Sequence, residues 1–102
     1  MTRRLILAPA ALRDLERIRL WLLQPGSGET ARKRLRAIRA AIGDLRQNPC
    51  AWPYGLHEGV RERPVAGHRV MYDVVPDTGD SGTAGDVRIL RVFGPGQSRD
   101  SL

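Results

Sequence analysis

The chain has 102 residues, 41% of them apolar and 5% aromatic, with a formal net charge of +6. That length suits one domain whose core needs no disulfide, and the lone cysteine, Cys50, excludes an internal disulfide and a multi-cysteine metal site. Sixteen of the seventeen basic residues are arginine and the other is Lys33; guanidinium groups bind carboxylates and phosphates in a planar, bidentate way, so the partners implied are acidic protein segments or nucleic acid. No run approaches the ~18 apolar residues of a membrane span. The start, "MTRRLILAPAAL", mimics a secretory leader, but Arg13 and Asp14 follow at once. It reads instead as a strand and a helix start in a cytoplasmic protein.

In chain order, residues 4–8 (RLILA) form a short apolar run expected to be a buried strand. Pro9 suits the first turn of a helix, where its missing N–H costs nothing. Leu12, Leu15, Ile18 and Leu22 then recur at helical spacing, and "QPGSG" (24–28) stops the helix. A second helix is expected from Glu29 to Gln47. Ala31, Leu35, Ile38, Ile42 and Leu45 form its apolar stripe, and Arg32, Arg36, Arg39 and Arg46 share another face. That arginine face is a solvated surface by default and a partner surface otherwise. Asn48-Pro49 ends the pair, which makes an αα-hairpin. Residues 50–58 form a loop, and strands are expected at about 59–65, 68–75 and 86–93. The glycine-rich stretch 76–85 is long for a hairpin connection and is expected to be mobile. The tail from about residue 95 has no periodicity and is expected to be flexible. The whole is an α+β fold in the order β-α-α-β-β-β, one domain over residues 1–102.

"GVRERPVAGHRVMYDVV" (59–75) carries the most information. Ala66-Gly67 as a two-residue turn pairs Val65 with His68, Arg63 with Val70 and Arg61 with Tyr72 on one face. That face, with Val74, is the one expected to pack on the helices, Arg61 and Arg63 lying toward its edge with their charged heads in water. The opposite face, carrying Val60, Glu62, Pro64, Arg69, Met71 and Asp73, is expected to be a mixed polar surface.

Together with "APAALRDLERIRLWL", "DLRQNP" and "VRILRVFG", this hairpin resembles the RelE/ParE superfamily, the toxins of bacterial type II toxin–antitoxin modules. The resemblance covers residues 3–94 and rests most on Gly59-x-Arg61-Glu62 and on Gly67-His68-Arg69-Val70-x-Tyr72 in this order. It implies a helical hairpin on a small antiparallel sheet, no cofactor, and an acidic, amphipathic antitoxin encoded next door. RelE-like members cleave mRNA on the ribosome with basic residues of the central strands and a late Tyr or His; ParE-like members poison DNA gyrase.

The ribonuclease set fits poorly. RNA cleavage needs a base for the 2′-hydroxyl, cations for the phosphate and an acid for the leaving oxygen. Arg69 falls on a matching arginine, but the two basic positions of the preceding strand are Val60 and Glu62, the late His falls near Phe93, and no Tyr follows Tyr72. The resemblance therefore implies a ParE-like toxin that binds DNA gyrase and is not an enzyme. The alternatives are a ribosome-dependent endonuclease with an altered site and an inactive relative that only binds. The expected target-binding residues are Arg69, Arg91 and Arg99, whose clustered guanidinium groups need an anion or carboxylate between them. Leu15, Ile18, Leu35 and Ile38 are expected to line the antitoxin groove. His57, His68 and Cys50 are expected to have no catalytic part.

Overall fold

The computed structural model describes residues 2–102, and its elements are β1 (Leu5–Leu7), α1 (Pro9–Leu22), α2 (Gly28–Asp44), β2 (Arg61–Val65), β3 (His68–Val75) and β4 (Asp86–Phe93). The order is the one expected. The four strands form one sheet in the order β1-β4-β3-β2, with β1 parallel to β4 and the other pairs antiparallel. Pro9 occupies the first turn of α1, and the helix stops one turn short of the Pro25-Gly26 bend. The α-helical part of the second helix ends at Asp44. The backbone then tightens into i to i−3 bonds as far as Gln47, the expected end: Leu45 N–H to Ile42, Arg46 N–H to Gly43 and Gln47 N–H to Asp44.

Both helices lie on one face of the sheet. Ala11, Ile18, Leu22, Leu35, Ile38, Ile42 and Leu45 meet Val70, Tyr72, Val74, Val87, Ile89 and Val92 in the core. Fully burying an Ile or Leu side chain contributes about 1.5–3 kcal/mol, so this cluster carries most of the fold's stability. Tyr72 is fully buried and its hydroxyl donates to the Pro49 carbonyl at 2.7 Å. Burial pushes its pKa up to about 12, so this tyrosine is a structural pin between the sheet and the end of the helical hairpin.

Three expectations are corrected. Leu12 is 55% exposed, and the buried stripe of α1 is Ala11, Asp14, Ile18 and Leu22. At 100° per residue Leu12 stands well outside that stripe. The 76–85 connection is not a free loop: Arg3 donates to the carbonyls of Ser81, Ala84 and Gly85, Ser81 Oγ accepts the Cys50 N–H, and Ala84 is buried. The far face of the sheet is not simply polar, because Val60, Met71 and Phe93 form a second small buried cluster there.

The hairpin register is the one the two-residue turn dictates: Val65 with His68, Arg63 with Val70, Arg61 with Tyr72. Ala66 and Gly67 both have positive φ, 49° and 77°, as a tight hairpin turn demands. Between β3 and β4 the register shifts at Met71/Tyr72, where Met71 faces Arg91 and Tyr72 faces Ile89. Leu90 is thus the extra residue of a bulge, which bends the strand and re-aims the side chains beyond it.

Candidate target-binding face

Arg61 and Glu62 are successive residues of β2 and point to opposite faces of the sheet. Both are buried, at 6% and 4% exposure. Arg61 does not reach water as expected. It bonds both carboxylate oxygens of Asp77, at 2.9 and 3.0 Å, and donates to the Trp52 carbonyl at 2.6 Å. The Tyr54 ring stacks on its guanidinium at 4.2 Å. The residue lies between the 50–58 and 76–85 loops, and its five donors are what can satisfy carbonyls and a carboxylate there. The Arg61 hydrogen bonds hold the Asp77 carboxyl far below the usual carboxylate range, outweighing burial. Arg63 does stay at the edge, its guanidinium 4.3 Å from the centre of the Trp52 ring.

Glu62 is the centre of the opposite face. Its Oε2 accepts the Leu56 N–H at 2.7 Å, and its Oε1 accepts from Arg69 at 3.2 Å and from Arg99. Burial raises the pKa of this carboxyl, but the Leu56 N–H, Arg99 and Arg69 outweigh it and the net shift is downward. The loop before β2 wraps the carboxylate so closely that a Cβ on Gly55 would lie 1.8 Å from Oε2. Any side chain at position 55 would expel Glu62. Arg69 and Arg99 are each partly exposed, and they line a cleft of about 440 Å³ between the Ala66-Gly67 turn and the tail, with His68, Phe93 and Gln97.

The tail is placed by three contacts. Gln97 Oε1 accepts the Gly94 N–H at 2.6 Å and an Arg17 N–H at 3.1 Å, and His57 Nε2 donates to the Arg99 carbonyl. The segment turns back at Gly94-Pro95-Gly96 and brings Arg99 to Arg69, as expected. The carboxylate expected between guanidinium groups is therefore Glu62, within the chain.

Arg91 lies elsewhere in this network. It faces Met71 on the same side of the sheet as Arg69, yet it reaches over the edge of β4 and bonds both oxygens of Asp14, at 2.7 and 3.0 Å. Asp14 is 2% exposed and also accepts the Val92 N–H at 2.9 Å. β1 pairs with β4 only as far as Leu7 and Ile89, so the Asp14 carboxylate takes the place of a missing strand neighbour. Burial alone would raise the Asp14 pKa, but Arg91, the Val92 N–H and Arg17 together lower it. Sequence reasoning missed Asp14, though Ala11, Asp14, Ile18 and Leu22 share the spacing of a buried helix face.

The expected antitoxin groove is also corrected. Ile18, Leu35 and Ile38 are buried in the core, and Leu15 is partly buried against it. Two helices on a sheet turn their most apolar stripes toward the sheet, so those stripes are not left for a partner. The exposed apolar surface of the hairpin is instead Leu12, Leu20, Trp21 and Leu23, Trp21 being 69% exposed. Trp21 also borders a groove with Arg17, Arg34, His68 and Pro95.

Each histidine near the Glu62 cleft gives one ring nitrogen to the backbone: His68 Nδ1 donates to the Ala66 carbonyl at 3.0 Å, and His57 Nε2 donates to the Arg99 carbonyl. Burial and the Asp77 charge push the Cys50 thiol up, away from a reactive thiolate. No three His, Cys, Asp or Glu side chains among the described residues could hold a metal ion together. The arrangement can bind an anionic or polar surface, and His68, which lines the cleft, keeps its Nε2 lone pair when Nδ1 carries the proton.

The fold is a helical hairpin on one face of a small mixed sheet, and the comparisons assign it to a family. Residues 5–96 match the model of the ParE toxin of the type II toxin–antitoxin system parDE, and the chain belongs to that family. A solved structure titled "Chromosomal ParDE TA system from P. aeruginosa" shares the fold with a TM-score of 0.70 at 20% identity, over 92% of this chain and 97% of that one. Among curated proteins none matches the sequence.

Proposed function

We propose that this ParE-family toxin arrests growth by binding DNA gyrase, and that a cognate antitoxin with an acidic, amphipathic tail neutralises it in the bacterial cytoplasm. The observation that carries the binding mode is the Glu62 cleft: two partly exposed arginines held on one buried carboxylate. Arg69 and Arg99 make the target contact. Arg91, tied to Asp14, positions the end of β4 from which the tail departs. The antitoxin covers Leu12, Leu20 and Leu23, which share one side of α1 and whose apolar contacts salt does not screen. The contrary reading, a ribosome-dependent mRNA endonuclease, needs an acid and a base placed on the phosphate from this face, where the cleft is lined by Arg69, Arg99 and His68. Induced expression without antitoxin separates the two: DNA breaks with intact mRNA support the gyrase reading, and rapid ribosome-dependent mRNA cutting by the purified protein contradicts it.

A further inference from the structure

The outer flank of α2 has no part in the target cleft, and it adjoins the exposed side of α1 only where Arg39 nears Glu16. At 100° per residue, Arg32, Arg36, Arg39 and Gly43 fall within an arc of about 60°, with Lys33 and Ala40 beside it. Arg32, Lys33, Arg36 and Arg39 are all exposed. Past the helix end Arg46 extends the stripe. Its Nε donates to the Arg3 carbonyl at 2.8 Å, and Arg3 donates back to the Arg46 carbonyl at 2.7 Å. A carbonyl leaves a guanidinium charge uncompensated, so these bonds do not weaken the local field.

The carboxylates within reach are few. Glu29 is shared by Arg36 at 2.7 Å and Arg32 at 3.7 Å, and Glu16 is bonded by Arg19 with Arg39 close enough to act on it. Asp44 lies at the C-terminal end of α2, and Asp86 is bonded by Arg4. Among the described residues Lys33 and Arg39 have no hydrogen bond or salt bridge of their own.

We infer that this flank binds the phosphate backbone of double-stranded DNA. Three features favour that partner. No exposed large apolar side chain lies on α2, so an amphipathic peptide would find no anchor there. No aromatic residue lies on α2 either, and single-stranded nucleic acid is held by stacking on aromatics. Arg32, Arg36 and Arg39 run along α2 over about 10 Å at the helical rise, with Arg46 beyond its end, and a strand of duplex offers one phosphate per ~3.4 Å of its axis. Ala40 and Gly43 leave the arginine heads as the outermost groups of the flank. Phosphate contacts of this kind fix position without reading sequence.

The test is fluorescence anisotropy of the purified full chain with a labelled 20-base-pair duplex over a salt series. Wild type is compared with Arg36→Gln/Arg39→Gln, and with Arg13→Gln/Arg88→Gln, which removes the same charge away from α2. Thermal unfolding verifies that both variants are folded. The α2 variant is expected to bind several-fold more weakly, with the slope of log K against log salt reduced in magnitude by about 1.8, the share of two phosphate contacts. The control pair should leave the slope close to that of wild type. Equal losses in both variants, no binding by wild type at low salt, or tighter binding to poly-glutamate, single-stranded RNA or duplex RNA of the same length would overturn the inference.

Discussion

Arg61 and Glu62 are neighbours in sequence, both charged, both buried and both paired, yet they serve different ends of the molecule. Arg61 faces a closed environment: its partner Asp77 is itself nearly buried, an aromatic ring covers it, and every contact joins two loops to the sheet. Glu62 faces an open one: its partners Arg69 and Arg99 are partly exposed and border a cleft. The same interaction, a carboxylate with a guanidinium, locks structure when both partners are enclosed. When one partner stays at the surface, it holds that cation in place for something else.

The largest effect that would sharpen this contrast is on stability at Arg61. Replacing Arg61 with Ala leaves the nearly buried Asp77 without its cation and removes a buried guanidinium that ties two loops to the sheet, a change that costs about 3 kcal/mol, the low end for a broken buried pair. Chemical denaturation should show that loss, with an Asp77→Ala variant equally damaged and the double variant no worse than either single. A loss below about 1 kcal/mol, the range of exposed ion pairs, would break the distinction.

Acid comes next. The Asp14, Glu62 and Asp77 pKa values are all lowered in the folded protein from ordinary values of 3.8, 4.5 and 3.8. A group whose folded pKa is depressed contributes stability above its unfolded pKa and loses it as pH falls through the folded one. Stability should therefore be level near neutrality and decline as pH drops below about 4.5, the upper end of the unfolded carboxylate range. Glu62→Gln should flatten the upper part of that decline, and Asp77→Asn the lowest part. Denaturation midpoints measured from neutrality to strong acid check the order.

Arg69→Ala and Arg99→Ala should each cost only about 1 kcal/mol or less in thermal unfolding, because both side chains are partly solvated and screened. Growth arrest should nevertheless be lost. The smallest expected effect is at the turn. Ala66 sits at φ 49°, where a Cβ costs about 1–2 kcal/mol, and Ala66→Gly should recover part of that in a higher melting temperature without altering growth arrest.

Most of the fold was legible because period and turn chemistry agree. The 66–67 turn sets a register that the hydrophobic pattern also demands, and Pro9 and Asn48-Pro49 bracket the helical hairpin. The pairing of charges was much less legible. Glu62 reads in sequence as a carboxylate that would repel phosphate. Its role depends on Gly55 letting the loop close over it and on Arg99 arriving from the tail, both non-local. Arg61 reads as an edge arginine because its partner, Asp77, sits in a stretch whose composition suggests mobility. Ile18, Leu35 and Ile38 pack in the core rather than line a surface groove for a simpler reason: helical periodicity finds the most apolar stripe, and in a two-layer fold that stripe faces the sheet.

The most direct test of the contrast pairs two variants in one pair of assays, unfolding free energy and gyrase inhibition on supercoiled plasmid. Arg69→Ala, which leaves Glu62 paired with Arg99, should unfold close to wild type and fail to inhibit gyrase. Arg61→Ala, assayed at a temperature where it remains folded, should inhibit gyrase while being the less stable protein. Full inhibition by Arg69→Ala, with Arg61→Ala folded but inert, would contradict the account.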